Sequence, residues 1–175
     1  IIPHGVDLKR FSSPINKEDS WDKLNFPGSL GIGIFGRVRY SKGIDILIDA
    51  AMNILPNYPS ATIIICGETQ IEDQPYKKKI ISKIKKANLE DRIIFLGRLP
   101  FKDLKVHTEK ACIGILFEEP KGLSFKFSLP NKLFDYIHSN TPVIATPLKE
   151  VFLFPCIVRC FFFFIFFFYF FIYFF

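Results

Sequence analysis

The sequence has no CxxC pair among its four cysteines, Cys66, Cys112, Cys156 and Cys160. That excludes the paired-thiol spacing of zinc ribbons and dithiol redox motifs. Cys66 and Cys112 fall inside apolar, strand-like runs and are expected to be reduced, buried residues of a cytosolic protein. The chain opens on IIPHGVDLKRF, with no basic segment followed by an apolar one, so no signal peptide is visible. It also opens without Met, as expected of a fragment. At 175 residues it lacks the length for two full nucleotide-type α/β domains, yet suffices for one domain with a proper core. Acid is scarce too: 17 Asp and Glu stand against 23 Lys and Arg, a formal charge of +6. Most of that excess lies in YKKKIISKIKKA (Tyr76 to Ala87), where no aromatic residues interleave with the lysines. The lysines alternate with Ile80, Ile81 and Ile84, so they read as the solvated face of a helix, and nucleic acid is set aside as a partner.

Alternation of short apolar runs with amphipathic stretches organises the rest. LGIGIF (Leu30 to Phe35) has the length of a buried strand, and Ile44, Leu47, Ile48, Ala51 and Leu55 then recur at the spacing of one helix face. The pattern repeats as strand ATIIICGE (61 to 68), helix 76 to 87, strand RIIFLGRL (92 to 99), helix FKDLKVHTEKA (101 to 111) and strand CIGILFE (112 to 118). A loop, EPKGLSFKF, leads to a helix at PNKLFDYIHSN (130 to 140), with Ser128 a plausible N-cap and Pro130 in its first turn. PVIAT (142 to 146) closes the series as a short strand. The expectation is an α/β fold: a doubly wound parallel sheet with helices on both faces.

From Val151 the pattern breaks. VFLFPCIVRCFFFFIFFFYFFIYFF holds thirteen of the 22 phenylalanines, and its last sixteen residues are uncharged. A membrane-spanning helix needs about 20 residues. Near-continuous Phe with occasional Ile and Tyr is what translation of T-rich DNA gives after a frameshift or a misplaced exon boundary. The tail over 152–175 is therefore expected to be spurious, with a membrane anchor as the alternative, and an aggregation hazard if made.

The stretch FGRVRYSKGIDIL carries the first chemical signal. A strand-to-helix crossing in a parallel sheet sits at the strand's carboxyl end, where helix amino termini offer N–H groups and partial positive charge. Arg37, Arg39 and Lys42 add to such an anion site, and a phosphate-bearing ligand is the first hypothesis.

Taken in order, IIPHGVDLKRF, GRVRYSKGIDILIDA, ATIIICGE, RIIFLGRLPFKDL and SLPNKLFDYIHSNTPVIAT resemble the carboxyl-terminal half of retaining GT-B glycosyltransferases of the glycosyl transferases group 1 family. The resemblance runs from Ile1 to about Val151. It implies a truncated Rossmann-like domain over 30–151, preceded by an interdomain linker over 1–29 in which His4 is a turn residue. It also implies a donor site for a nucleoside-diphosphate sugar, with Arg37 and Lys42 as catalytic residues that grip the diphosphate and stabilise the leaving nucleoside diphosphate. Arg supplies a fork matched to phosphate oxygens and Lys a mobile point charge. No metal is then required, consistent with the lack of a DxD-like motif or a His/Cys cluster.

The other donor contacts implied are Gly36, then Arg98 and Leu99 by backbone contacts to the base, and Asn131, Lys132 and Asp135 on the last helix. Family members usually carry two acids eight positions apart here. Asp135 matches the later one, the ribose acceptor, but the earlier position is Phe127, so the sequence departs from the pattern. The acceptor implied is an unknown glycan or lipid-linked molecule, and the location is cytoplasmic or at the inner face of a membrane. Without an acceptor domain the fragment is expected to be inactive. A non-enzymatic nucleotide-binding or regulatory domain is the alternative.

Overall fold

The computed structural model describes residues 30–119, 130–146, 148 and 162–164. The segment assigned to a linker, His4, Phe127, Ser128 and all but three residues of the Phe-rich tail lie outside them. Ten elements follow in chain order: β1 (Leu30–Phe35), α1 (Ile44–Ile54), β2 (Ala61–Cys66), α2 (Gln74–Lys86), β3 (Ile93–Gly97), α3 (Phe101–Lys110), β4 (Ile113–Leu116), α4 (Asn131–His138), β5 (Val143–Ala145) and β6 (Phe162–Phe164). The sheet order is β3-β2-β1-β4-β5-β6, and every pairing is parallel. β1 pairs with β2 from Leu30↔Ala61 to Phe35↔Cys66, and with β4 through Ile32↔Ile113 and Gly33↔Gly114. The chain winds outward from β1 to one edge, then returns to β1's other side at β4. The order therefore reverses between β1 and β4, which makes their carboxyl ends the topological switch point.

Strand residues alternate between two cores because successive side chains point to opposite faces. Ile63 and Ile65 join the core under α1 and α2, with Ile44, Ile48, Ile80 and Ile84. Ile64 and Cys66 join the core under α4, with Leu133, Tyr136 and Val143. Helices on both faces are thus a consequence of β2 being buried throughout, with apolar residues on both of its faces, as expected of a central parallel strand. On the second face the ring of Tyr136 fills the space over Gly114, where a Cβ would lie 2.4 Å from it. Its hydroxyl lies 3.1 Å from the Ile115 carbonyl and 3.3 Å from that of Gly33, to which it donates across the β1–β4 seam. Burial pushes ionisation of this phenol far above its usual range.

Three particulars depart from the sequence reading. Pro130, expected in the first turn of the last helix after a Ser128 cap, is itself the N-cap, and α4 starts at Asn131. Cys66 is buried as expected, but Cys112 is exposed: it precedes β4, and its N–H donates to the Gly31 carbonyl at 2.8 Å. The sheet also continues past PVIAT, because Phe162–Phe164 pairs with β5 as a sixth parallel strand. The lysines of α2 lie where the periodicity puts them. Lys78, Lys79, Lys85 and Lys86 are exposed, Lys83 pairs with Asp49, and Lys77 lies 5.3 Å from the centre of the Phe95 ring. No helix among the described residues is long and apolar enough to cross a membrane.

Candidate functional site

A cleft of about 330 Å³ opens at the switch point, between the carboxyl ends of β1 and β4. β1 and the turn after it contribute Gly36, Arg37, Arg39 and Lys42; β4 and its extension contribute Phe117 and Glu118; α4 contributes Lys132. Four cations and one carboxylate therefore converge on the same space.

Local structure explains why the turn projects its cations here. The β1–β2 ladder continues past both strands, with Gly36 N–H donating to the Cys66 carbonyl at 2.8 Å and Val38 N–H to that of Glu68 at 2.9 Å. Gly67 makes this approach possible, since a Cβ there would stand 1.6 Å from the Gly36 carbonyl oxygen. Val38 is buried, which turns Arg37 and Arg39 outward on either side of it. A single 3-10 turn, Tyr40–Lys42, then ends on Gly43 in the left-handed region at φ 57°, and α1 starts. Glycine is required at that point twice over: by the backbone angle, and because a Cβ would meet that of Phe117 at 2.9 Å.

Arg37 is exposed, and its guanidinium donates to Gln70 Oε1 at 3.3 Å. Lys42 is half-buried and its ammonium pairs with the Glu118 carboxylate. The amino terminus of α1 is itself partly occupied. Tyr76 Oη accepts the Asp45 N–H at 3.0 Å and donates to Asp45 Oδ1 at 2.9 Å. The anion-binding capacity of the β1 side thus resides mainly in side chains rather than in free helix N–H groups.

Lys132 reaches the cleft from the first turn of α4 and donates to Asp135 Oδ2, one turn on, at 3.0 Å. It also bears on Cys66 at the end of β2: burial pushes that thiol from 9.0 up to about 12, and the Lys132 charge pulls weakly the other way.

The structure brings Gly36, Arg37, Lys42 and Lys132 together. It does not bring all the expected residues to this lining. Asp135 faces Lys132 from the next turn, and Asn131 is exposed at the helix start. Leu99 packs against the core under α4. Arg98 extends from the end of β3 with 80% of its side chain exposed, 3.9 Å from Glu68. Arg39, for which the resemblance offered no counterpart, lines the cleft, and so does Glu118, to which sequence reading gave no function. The signal for Glu118 was available: it is a charge placed directly after an apolar strand, like Arg37 after β1.

Comparison with known proteins places these features in context. The family model described as glycosyl transferases group 1 matches residues 16–149. Among curated relatives, the lipopolysaccharide core biosynthesis mannosyltransferase LpcC of Rhizobium leguminosarum bv. viciae is 37% identical over 106 residues, 61% of this chain and 30% of that protein. One subunit of the phosphatidylinositol N-acetylglucosaminyltransferase of Homo sapiens is 30% identical over 107 residues, 60% of this chain and 19% of that one. The chain spans less than a third of the length of these relatives. Among solved structures, the C-terminal domain of a glycosyl transferase group 1 family protein (LpcC) from Francisella tularensis superposes with a TM-score of 0.66 at 32% identity, covering 82% of this chain and 71% of that domain. Anabaena Alr3699/HepE in complex with UDP-glucose superposes with a TM-score of 0.69 at 24% identity, covering 85% of this chain and 38% of that one, a likeness of fold.

Proposed function

Because the chain belongs to the glycosyl transferases group 1 family, we propose that its switch-point cleft binds the diphosphate of a nucleoside-diphosphate sugar. The whole protein would then use this site to transfer the sugar to a glycan or lipid-linked acceptor. The observation that carries the reading is the convergence of Arg37, Arg39, Lys42 and Lys132 on one cleft at the carboxyl ends of β1 and β4. Open parallel sheets bind ligands at that place, and a diphosphate is the ligand such a charge pattern fits.

As the bond between the anomeric carbon and the diphosphate breaks, negative charge grows on the departing oxygen. Arg37 and Lys42 meet that charge, Arg37 as a planar fork and Lys42 as a point charge, and their attraction is greater in the transition state than in the bound donor. In this reading the counter-charge comes from side chains and not from a metal. In the same reading Asp135 accepts from the donor's ribose, Asn131 and Lys132 face its phosphates and sugar, and the backbone of Arg98 and Leu99 meets its base. Support for a nucleotide-sugar donor comes from the Anabaena relative, solved with UDP, with UDP and glucose, and with UDP-glucose. Support for a lipid-linked or glycan acceptor comes from the names of the lipopolysaccharide and phosphatidylinositol relatives. The site would lie in the cytoplasm, at or near a membrane's inner face.

The test is calorimetric titration of UDP and GDP, with uridine and guanosine as uncharged controls. Micromolar binding of a diphosphate, far tighter than that of its nucleoside, is the expected outcome. Equal affinity for nucleoside and diphosphate would remove the reading's physical basis.

A further inference from the structure

One group in the cleft has the wrong sign for a phosphate site. The Glu118 side chain is only 4% exposed, and its carboxylate pairs with the Lys42 ammonium, whose own side chain is 30% exposed. The arrangement is built in from both sides. Glu118 N–H donates to Thr146 Oγ1 at 2.9 Å, and Thr146 N–H donates to the Leu116 carbonyl at 3.1 Å, which fixes the end of β4 against the end of β5. The next residue, Glu119, donates its N–H to the Ser41 carbonyl at 3.1 Å, tying the same segment to the turn that carries Lys42. The carboxylate is therefore a fixed point, and the long lysine chain is what comes to it.

A buried carboxylate is costly unless paired. An ammonium has three donors, so Lys42, still partly open to the cleft, can satisfy Glu118 and face a second anion at once. A diphosphate entering the cleft meets that shared ammonium and is repelled by the carboxylate behind it. We infer that Glu118 is an internal counter-ion that holds Lys42 in the empty cleft and competes with the donor diphosphate for it. Glu118 thereby lowers diphosphate affinity and speeds release of the nucleoside diphosphate after transfer. It acts through Lys42 and is a positioning residue. The inference rests on the donor-site reading above.

The experiment titrates UDP and GDP, with uridine and guanosine as controls, into the full chain and into its Glu118→Gln and Glu118→Met variants, and follows dissociation by stopped flow. Both variants should bind the diphosphate three- to tenfold tighter, in line with a partly screened charge pair, by roughly 0.6–1.4 kcal/mol, and release it correspondingly more slowly. Nucleoside affinity should not change. Damage to the fold would weaken binding, so tightening is a signature that a merely structural role would not produce. A further arm uses the unaltered chain: the carboxyl carbon resonance of Glu118 should shift on saturation with UDP or GDP and not with the nucleoside. Diphosphate binding that is unchanged or weaker in folded variants, or a Glu118 resonance that ignores the diphosphate, overturns the inference while leaving the donor site standing. Absence of diphosphate binding to the unaltered chain overturns both.

Discussion

Two strand ends look alike in sequence and differ in the fold: Phe35-Gly36-Arg37 after β1 and Leu96-Gly97-Arg98 after β3. Each is an apolar residue, a glycine and an arginine on the carboxyl rim of one parallel sheet. β1 lies in the interior at the point where strand order reverses, whereas β3 is an edge strand. At β1 the arginine shares a cleft with Arg39, Lys42, Lys132 and the buried Glu118. At β3 the arginine points into solvent with an exposed partner 3.9 Å away, a pair worth at most about 1 kcal/mol. The lesson is that Gly-Arg after a strand is a candidate, and topology decides what it can hold.

The largest effect that would test this contrast is on diphosphate affinity. Arg37→Ala and Lys42→Ala should each weaken UDP or GDP binding roughly ten- to a hundredfold, since charge-assisted hydrogen bonds contribute about 1.5–3 kcal/mol. Arg98→Ala should change it by less than about threefold. In the whole protein, turnover should fall further than affinity in the first two variants, as expected where charge grows in the transition state. Comparable losses from Arg98→Ala, measured by calorimetry, would break the contrast.

A second, smaller effect concerns the seam that holds β1 and β4 together. Tyr136→Phe removes the hydroxyl that donates to the Ile115 and Gly33 carbonyls and should cost about 1 kcal/mol, lowering Tm by roughly 2–4 °C in a thermal melt. Gly114→Ala should cost more, because its Cβ would meet the Tyr136 ring.

The strand ends also differ in legibility. Elements from Leu30 to Ala145 could be read from period and punctuation, because β2 is a mainly apolar run and α1 has a clean stripe at Ile44, Leu47, Ile48 and Ala51. Arg37, Arg39 and Lys42 could be read together because they lie on one strand-to-helix turn, and it was the resemblance that singled out Arg37 and Lys42. Glu118 could not be joined to Lys42, 76 residues away, because their meeting depends on β4 lying next to β1. The exposure of Cys112 was hidden by the apolar residues that follow it, since only strand pairing shows that it precedes β4. β6 was hidden in a run of phenylalanines that has no alternation to read.

Alkaline pH should reveal the buried end of β2. The Cys66 thiol keeps its proton in the folded state up to about 12, while the unfolded thiol loses it near 9.0. The folded state thus binds more protons in that window, and stability falls as pH rises from about 9 to 12. The buried phenol of Tyr136 contributes with the same sign. Replacing Cys66 by Val should flatten the decline in Tm between pH 9 and 11. Asp135→Asn should weaken nucleoside and diphosphate alike by about threefold, roughly 0.6 kcal/mol. No change in either would make Asp135 only the partner of Lys132.

The most direct measurement of where the diphosphate sits is a backbone and side-chain resonance map of the isotopically labelled chain titrated with UDP and, in parallel, GDP. The account predicts that the largest shifts induced by the diphosphate, beyond those of the nucleoside, fall on Gly36, Arg37, Lys42, Glu118 and Lys132. Gly97 and Arg98 should respond equally to nucleoside and diphosphate. Diphosphate-specific shifts centred on Gly97 and Arg98, with the β1–β4 cleft unmoved, would contradict it.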